Sequence, residues 1–328
     1  MLSVLIIGCG AIAGGYDAGK PEGSKPLSHA GAFRAHGGFG LAACVDPDDA
    51  QRNAFAERWD VQTSYADLAD VRGSFDIVSI CSPTRFHAAH VGAALALRPR
   101  LIFAEKPITA TLADSVAIVA ACAAAAVPLA VNYTRRWAPD IVALRHDIAA
   151  GTYGAVRAAN AVYNKGVLNN GSHMVDLLHF LLGPLELVAA GQPYWDFWPD
   201  DPTIPALLAT AGGVSITIGT AHAADYAIFE LTLITESGTI TMTNGGSRWI
   251  IRRRIDSPQF AGYRELGEGS SHPGSYDLAM TAAVAELHAA VMADGPLSST
   301  GESALVAQTL CDDIRMAAIA RSGRGTTE

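Results

Sequence analysis

The sequence predicts an α/β domain with a doubly wound parallel sheet, followed by an α+β domain with a mainly antiparallel, open sheet. In the first part, short β-branched runs alternate with helical patterns. In the second, strands follow strands through turns such as Gly212-Gly213 and Ser237-Gly238. The length of 328 residues also exceeds the size at which one core usually keeps growing. We therefore expect two domains, residues 1–132 and residues 133–328.

The strands of the first domain are expected to be parallel. Helical patterns separate them, and parallel strands need such long crossover connections. Each run is also almost continuously apolar, as in strands that are buried on both faces. The expected strands cover residues 3–7, 40–45, 76–81, 100–104 and 129–133.

The second domain is expected to begin with a helix, a strand and a helix, and to continue as an antiparallel sheet. The first three elements cover residues 139–150, 155–163 and 172–182. The later strands cover residues 206–210, 214–220, 228–235, 239–243 and 248–254. A loop rich in Gly, Ser and Pro, residues 256–275, should lead into closing helices at 276–294 and 301–322.

Composition argues against several classes of partner. The formal net charge is −9 and no long block of Lys and Arg occurs, so nucleic acid is not expected to bind. The alanine-rich stretch 117–127 ends at Pro128, well short of a membrane span. The five cysteines are scattered without the paired spacing of a disulfide framework or a zinc site. We expect a cytoplasmic protein that does not associate with membranes.

A glycine-rich turn follows the first strand and opens a helix: Gly8-Cys9-Gly10-Ala11-Ile12-Ala13-Gly14. Such glycines let backbone N–H groups approach a pyrophosphate, which predicts a dinucleotide site at Gly8, Gly10, Ala11 and Ile12. Asp46 ends the second strand, where a carboxylate can accept both ribose hydroxyls and repel a 2′-phosphate. The sequence thus predicts a Rossmann domain that binds NAD. The alternatives are a tight turn without a ligand and, for Asp46, a surface turn before Pro47.

The stretch from Gly10 to Asp46 is longer than the roughly 20 residues usual for this fingerprint. The excess lies in residues 15–28, which contain three Gly, two Pro and two Lys. We interpret these residues as an insertion that interrupts the first helix beside the phosphate turn. The insertion is expected to act as a flap.

Four segments together resemble the glucose-fructose oxidoreductase and inositol dehydrogenase (Gfo/Idh/MocA) family. Besides the glycine turn with Asp46, they are Cys81-Ser82-Pro83-Thr84 with His87, Glu105-Lys106-Pro107, and Gly171-Ser172-His173-Met174-Val175-Asp176. Their order and approximate spacing agree over nearly the whole chain. The Glu-Lys-Pro triplet is the most specific of the four.

The resemblance implies roles for individual residues. It places Ser82, Pro83, Thr84 and His87 along the cofactor and Glu105 with Lys106 near the nicotinamide, and it implies a cis peptide between Lys106 and Pro107. It also implies that Lys106 and His173 are the catalytic pair. Arg136 matches an arginine of a family segment at the domain junction, where it would contact substrate.

One position departs from the family pattern. Members often carry Asp four residues before the active-site histidine, and here that residue is Asn169. An amide cannot act as a carboxylate base, so His173 or Lys106 would carry the proton transfer. The segment Asn169-Asn170-Gly171-Ser172-His173 resembles that of sugar-modifying family members, and this resemblance implies a variant branch whose substrate is a nucleotide sugar or a related saccharide.

Asn169, Lys165 and Asp176 are the substrate-contact candidates of the second domain. His173, Asp176 and His179 also recur every three residues, but this spacing does not bring them together as an i, i+4 pair would, and no metal is expected. Two further motifs stay open. Arg252-Arg253-Arg254 could grip a diphosphate or end a solvated strand, and the aromatic residues of 194–198 could stack a sugar or base or pack at a subunit contact.

The sequence therefore predicts an NAD-dependent dehydrogenase that transfers hydride from a hydroxyl-bearing carbon of a sugar, polyol or nucleotide sugar. One alternative is an NAD-using glycosidase or epimerase that oxidises its substrate transiently. Another is an NAD(H)-binding protein without catalysis. An open antiparallel sheet with an uncovered face would favour a homodimer or homotetramer.

Overall fold

A computed structural model describes residues 1–21 and 23–321 and divides into two compact units. Among the described residues, unit 1 comprises Met1–Ala138 with Asp277–Val306, and unit 2 comprises Pro139–Tyr276 with residues 307–321. The division therefore differs from the expected single boundary after residue 132. The chain returns to unit 1 because the apolar face of a late helix, including Ala283, Val284 and Leu287, joins the core beneath the first sheet.

Unit 1 contains a six-stranded parallel sheet in the order β3-β2-β1-β4-β5-β6. The strands are β1 (Leu2–Ile7), β2 (Phe39–Val45), β3 (Thr63–Tyr65), β4 (Ile77–Ile80), β5 (Leu101–Ala104) and β6 (Leu129–Val131). The predicted doubly wound parallel sheet is confirmed. Of these six strands, β3 alone lacks a sequence prediction, because two exposed residues and one half-buried residue carry no apolar pattern.

The helices of unit 1 cover both faces of this sheet. They are α1 (His29–His36), α2 (Asp49–Trp59), α3 (His87–Ala96), α4 (Leu112–Ala124) and α7 (Ala279–Ala293). The central strands are wholly buried, with β4 and β5 showing no exposed position. Their carboxyl ends lead into the loops that carry the candidate site.

Unit 2 contains an eight-stranded sheet in the order β14-β13-β12-β11-β7-β10-β9-β8. The strands are β7 (Val156–Tyr163), β8 (Leu185–Ala190), β9 (Ala206–Thr210), β10 (Ser215–Thr220), β11 (Phe229–Thr235), β12 (Gly238–Thr243), β13 (Arg248–Asp256) and β14 (Arg264–Pro273). All neighbours pair antiparallel except β7 with β10. The prediction of a mainly antiparallel sheet is confirmed.

Within unit 2, residues 256–275 were expected to form a loop, and that expectation is wrong for Arg264–Pro273. This segment is strand β14 and pairs with β13. Its side chains are almost all exposed, so it lacks the apolar alternation that reveals a half-buried strand. Backbone pairing with β13 makes it a strand despite its polar sequence.

Helices α5 (Pro139–Ala149), α6 (Ser172–Leu182) and α8 (Gly301–Arg321) complete the chain. The predicted end of the last helix at Ser322 lies outside the described residues. All five cysteines are free and buried. Among the described residues, no helix is both long and apolar enough to cross a membrane.

Candidate functional site

The glycine turn after β1 forms an open cradle. Gly8 has φ +89°, and a Cβ there would lie 2.7 Å from the backbone of Ser82. A side chain at Gly8 is therefore excluded both by conformation and by space. A Cβ on Gly10 would meet only Gln51 Oε1 at 3.7 Å, so space remains above the turn for a ligand.

The Asp46 carboxylate lies at the end of β2 and is only 8% exposed. Its Oδ2 accepts a hydrogen bond from Cys9 N at 2.8 Å, and its Oδ1 accepts one from Asp48 N at 2.9 Å. A carboxylate has about four lone-pair sites, so two can still accept ribose hydroxyls. The cradle and this carboxylate fit two neighbouring groups of a dinucleotide: Gly8, Gly10, Ala11 and Ile12 would hold the pyrophosphate, and Asp46 would hold the adenosine ribose.

The insertion at residues 15–28 interrupts the first helix, as predicted. The backbone N–H of His29 donates to Ile12 O at 3.1 Å, and that of Ala30 donates to Ala13 O at 2.8 Å. These two hydrogen bonds connect residues 11–13 to the start of α1, and the residues between them form the insertion. Ser28 caps α1 by accepting a hydrogen bond from Gly31 N at 3.2 Å.

Asp17 connects the beginning of the insertion, residues 15–28, to its end. Its carboxylate accepts hydrogen bonds from Leu27 N at 2.9 Å and Ser28 N at 3.0 Å, and it pairs with Lys20 at 3.0 Å. Burial opposes the charge, but the hydrogen bonds from Ser28 and Leu27 hold the pKa of Asp17 below its usual value. The more exposed Lys25 pairs with Asp277 at 2.5 Å.

We expect residues 15–28 to close over bound ligand, because mobile loops beside sites commonly do so. Saturating NAD should slow proteolytic cleavage within this segment, and Lys25→Ala should speed cleavage of the unliganded protein by removing one exposed tie. Mass spectrometry of the fragments would measure both. Equal cleavage rates with and without ligand would show that the segment is not a flap.

Glu105 and Lys106 follow β5, and Glu105 is held by a buried network. Its Oε1 accepts from Asn132 Nδ2 at 2.6 Å and lies 2.9 Å from Nε2 of His29, which is completely buried. The other imidazole nitrogen of His29 lies 2.8 Å from Ser79 Oγ. The Glu105 carboxylate is thus fixed beside Lys106, whose backbone N–H donates to Glu105 Oε2 at 3.3 Å.

This network favours an ion pair between His29 and Glu105. Burial opposes the charged imidazole, but the Cys81 sulfur and the Glu105 carboxylate raise the pKa of His29 to about 10. Burial likewise opposes the carboxylate charge, yet the hydrogen bond and positive charge of His29 hold the pKa of Glu105 below its ordinary value. The peptide between Lys106 and Pro107 is cis, as predicted.

The loop after β4 contains both accessible and buried members of the predicted cofactor set. Pro83 is exposed and Thr84 is half-buried, whereas Ser82 is buried and its Oγ lies 2.8 Å from His90 Nδ1. His87 is 1% exposed, with Nε2 2.8 Å from Ser82 O and Nδ1 3.0 Å from Pro107 O. His87 therefore ties this loop to the Lys106-Pro107 segment.

Arg136, a predicted substrate contact, is only 6% exposed. Its guanidinium donates to Ser298 O at 3.0 Å. Glu286 holds the same segment, since its carboxylate accepts from Ser298 N and Ser298 Oγ. This geometry gives Arg136 a bracing role within unit 1, and its contact with substrate stays a prediction.

In unit 2, a π-helical turn at Gly166–Gly171 leads into α6 and positions Asn169 and His173. Asp201 accepts hydrogen bonds from Leu168 N at 2.9 Å and Asn169 N at 2.7 Å. The Asn169 side chain donates to Lys165 O at 3.1 Å. Half-buried His173 follows in the first turn of α6.

Asp176 is 1% exposed, deeper than expected for a residue that contacts substrate. Burial raises the pKa of the Cys311 thiol, and the charges of Asp201 and Asp176 raise it further. Asp176 therefore lies among interior groups of unit 2. In the described part of the chain, no group of three or more His, Cys, Asp and Glu side chains is placed to hold a metal ion.

Sequence reasoning missed three supporting residues: His29, Asn132 and Asp201. Each is buried and hydrogen-bonds to a predicted site residue, His29 and Asn132 to Glu105 and Asp201 to Asn169. His29 offered one signal, as a polar residue at the point where the interrupted helix resumes. Asn132 and Asp201 lie far from their partners in sequence, so no local pattern could reveal the contacts.

The first part of the chain is similar to a known family of oxidoreductases. Residues 2–133 match the model described as the oxidoreductase family with an NAD-binding Rossmann fold, GFO_IDH_MocA. The chain is 28% identical to a D-apiose dehydrogenase of Paraburkholderia graminis, over 64% of this chain and 62% of that protein. It is 24% identical to an inositol 2-dehydrogenase of Rhizobium meliloti, over 87% and 91% of the two chains.

The fold is shared over nearly the full length with solved structures. An oxidoreductase from Agrobacterium radiobacter, in complex with NAD⁺, L-tartaric acid and magnesium, superimposes with a TM-score of 0.75 at 20% identity. The match covers 97% of this chain and 96% of that one. At this level of identity the likeness establishes the two-part architecture.

Proposed function

We propose that the protein is an NAD-dependent dehydrogenase acting on a carbinol of a sugar or polyol, because residues 2–133 match the model of the Gfo/Idh/MocA oxidoreductase family with its NAD-binding Rossmann fold. The observation that carries this proposal is the buried, doubly hydrogen-bonded Asp46 carboxylate beside the glycine cradle. Relatives named for D-apiose and inositol support a polyhydroxylated substrate. When bound, NAD supplies the hydride acceptor.

Lys106 and His173 manage the hydroxyl proton in this proposal. A carbinol must lose its proton as its carbon loses hydride, so a group that can accept a proton near neutral pH is needed. Lys106 also supplies a positive charge that stabilises a developing alkoxide. Asn169 orients the substrate by hydrogen bonding, since its amide cannot take the proton.

Cofactor preference tests the role of Asp46. Asp46→Ser should weaken NAD binding, because both ribose-accepting oxygens are lost, and should improve NADP binding by removing repulsion of the 2′-phosphate. Titration of both cofactors would measure the shift. Asp49→Ser is the matched control, since Asp49 is 80% exposed and pairs with Arg52 at the start of α2. Unchanged affinities in Asp46→Ser, or a wild-type preference for NADP, would remove the assignment.

A turnover screen tests the activity itself. Purified protein with NAD would be offered free sugars, their glycosides, polyols and sugar acids, with NADH formation as the signal. The proposal expects at least one of these classes to reduce NAD, and expects Asp46→Ser to weaken the response at limiting NAD. Tight NAD binding with no reduction by any class would favour a binding protein without catalysis.

A further inference from the structure

A pocket of about 350 Å³ opens in unit 2 beside the π-helical turn. Its polar lining consists of three amides, one cation and one carboxylate: Asn169, Asn170, Asn244, Lys165 and Glu230. The volume lies at the low end of the range of roughly 300–1,000 Å³ typical of small-molecule pockets. Planar amides and a carboxylate suit hydroxyl groups, so the pocket fits one sugar ring.

An aromatic segment, residues 194–203, adjoins the cation of this pocket. Lys165 Nζ lies 5.1 Å from the ring centroid of Phe197, within the range of a cation–π contact. Phe197 is 52% exposed and Trp198 is 42% exposed, and their rings pack edge to face at 4.9 Å. Large aromatic faces are thus presented to solvent next to a polar pocket.

The aromatic segment is held firmly, so little ordering is needed before a ligand stacks on it. Tyr194 and Thr203 bridge its two ends. The Asp196 carboxylate accepts hydrogen bonds from Thr203 Oγ1 at 2.6 Å, Ala223 N at 3.0 Å and Lys165 N at 3.2 Å. The last bond fixes the backbone of the pocket lysine to the aromatic segment.

Lys165 adopts a conformation that usually belongs to glycine or asparagine. Its φ is +68°, in the left-handed region. A long side chain kept at such a position points to a role for that side chain, since the surrounding structure must hold the strain. Its ammonium group lies where the pocket and the aromatic segment meet.

The charged residues of the pocket and the aromatic segment favour a neutral ligand over an anionic one. The aromatic segment contains Asp196, Asp200 and Asp201 and no Lys or Arg. Glu230 adds another negative charge to the pocket, against the single positive charge of Lys165. A diphosphate would meet net repulsion here, whereas the hydroxyls of a neutral saccharide would find acceptors.

We propose that the pocket binds one sugar ring and that Phe197, with Trp198 beside it, stacks a second ring joined to the first. The substrate is then an uncharged glycoside of at least two rings, such as a disaccharide. A free monosaccharide or a nucleotide sugar would be a poorer ligand. This inference rests on the proposed sugar dehydrogenase function and names its substrate class.

The test compares binding of matched ligands to the full-length protein with saturating NADH, by calorimetry and tryptophan fluorescence. The probes are glucose, galactose and mannose, the disaccharides cellobiose, lactose and mannobiose, and UDP-glucose. At least one disaccharide should bind about tenfold more tightly than its monosaccharide, a difference of about 1.4 kcal/mol. Phe197→Ala should reduce this advantage to less than twofold and leave monosaccharide affinity unchanged.

Two further variants test whether the change in affinity is specific to the pocket and the aromatic segment. Tyr263→Ala removes another exposed aromatic ring of unit 2, on the β13–β14 connection, and should change no affinity. Lys165→Gly suits the left-handed backbone, so it should keep or raise the melting temperature while weakening disaccharide binding. Equal mono- and disaccharide affinities, no measurable disaccharide binding, or tighter binding of UDP-glucose would overturn the inference.

The outcomes separate this inference from the dehydrogenase proposal. Disaccharide binding that depends on Phe197, without any NAD reduction, would uphold the subsite and remove the activity. NAD reduction by a free sugar with equal efficiency in wild type and Phe197→Ala would uphold the activity and remove the subsite. A change of oligomeric state in Phe197→Ala would show that the aromatic segment is a subunit contact, and would also overturn the inference.

Discussion

Lys106→Ala and His173→Ala should each lower turnover by about 10² to 10⁴ while binding NAD nearly normally, because loss of a general acid–base group typically costs that much. NAD binding should persist because neither residue is part of the glycine cradle or hydrogen-bonds to the Asp46 carboxylate. NAD titration and steady-state kinetics on the substrate found by the screen would measure the two effects separately.

Graded variants separate the roles of charge and proton transfer. Lys106→Arg keeps the positive charge but cannot release a proton near neutral pH, so it should recover only the part of the rate that depends on charge. Asn169→Ala should lose less than either catalytic variant. His146→Ala is the histidine control, since His146 is exposed on α5 of the same unit as His173. Near-wild-type turnover by both alanine variants of Lys106 and His173 would remove the mechanism.

His29→Leu should lower the free energy of unfolding by about 3 kcal/mol at neutral pH, because it leaves the Glu105 carboxylate without its charged partner. Asn132 still donates to Glu105, so part of the network survives. Urea denaturation monitored by tryptophan fluorescence would measure the loss. A change within the scatter typical of surface substitutions, about 0.5 kcal/mol, would show that the buried pair contributes little.

The effect of His29→Leu should depend on pH in a defined direction. The folded-state pKa of His29 is raised from 6.5 to about 10. Its contribution to stability is therefore complete below pH 6.5 and is lost as the pH rises towards 10. The stability difference between wild type and His29→Leu should shrink across that window. The Glu105 carboxylate remains charged throughout, because its pKa is lowered.

His36 on the same helix provides the opposite case. Burial and the neighbouring His288 hold the pKa of His36 below its usual value. Stability linked to neutral His36 is therefore present above its ordinary pKa of 6.5 and is lost as the pH falls. His36→Leu should change the free energy of unfolding more above pH 6.5 than below it.

A His29→Leu effect on the free energy of unfolding that is constant from pH 6.5 to 10, or that grows with pH, would contradict the ion pair between His29 and Glu105.

Elements with a strong apolar pattern could be predicted from the sequence. Strand β1 is apolar except at Ser3, and β11 alternates regularly between buried and half-buried positions. Both were assigned within a residue at each end. Strand β14 could not be assigned, because backbone pairing rather than burial makes it a strand. The return of α7 to unit 1 was equally hidden, since apolar residues on a helix do not reveal which core they join.

The candidate site shows the same limit. Asp46 could be assigned because its role follows from a local rule, the end of the strand after a glycine turn. The contact between His29 and Glu105 joins residues 76 positions apart and depends on how the insertion returns the chain to α1. The left-handed backbone of Lys165 is likewise invisible in sequence, because lysine rarely takes that conformation.

The stoichiometry of NADH to oxidised product tests the central claim most directly. Protein in molar excess over a substrate found by the screen would be mixed with NAD, and both NADH and the carbonyl product would be quantified over one turnover. The proposed dehydrogenase predicts one NADH for each oxidised molecule. Substrate conversion without accumulated NADH would instead indicate transient oxidation, as in a glycosidase or epimerase, and would contradict the account.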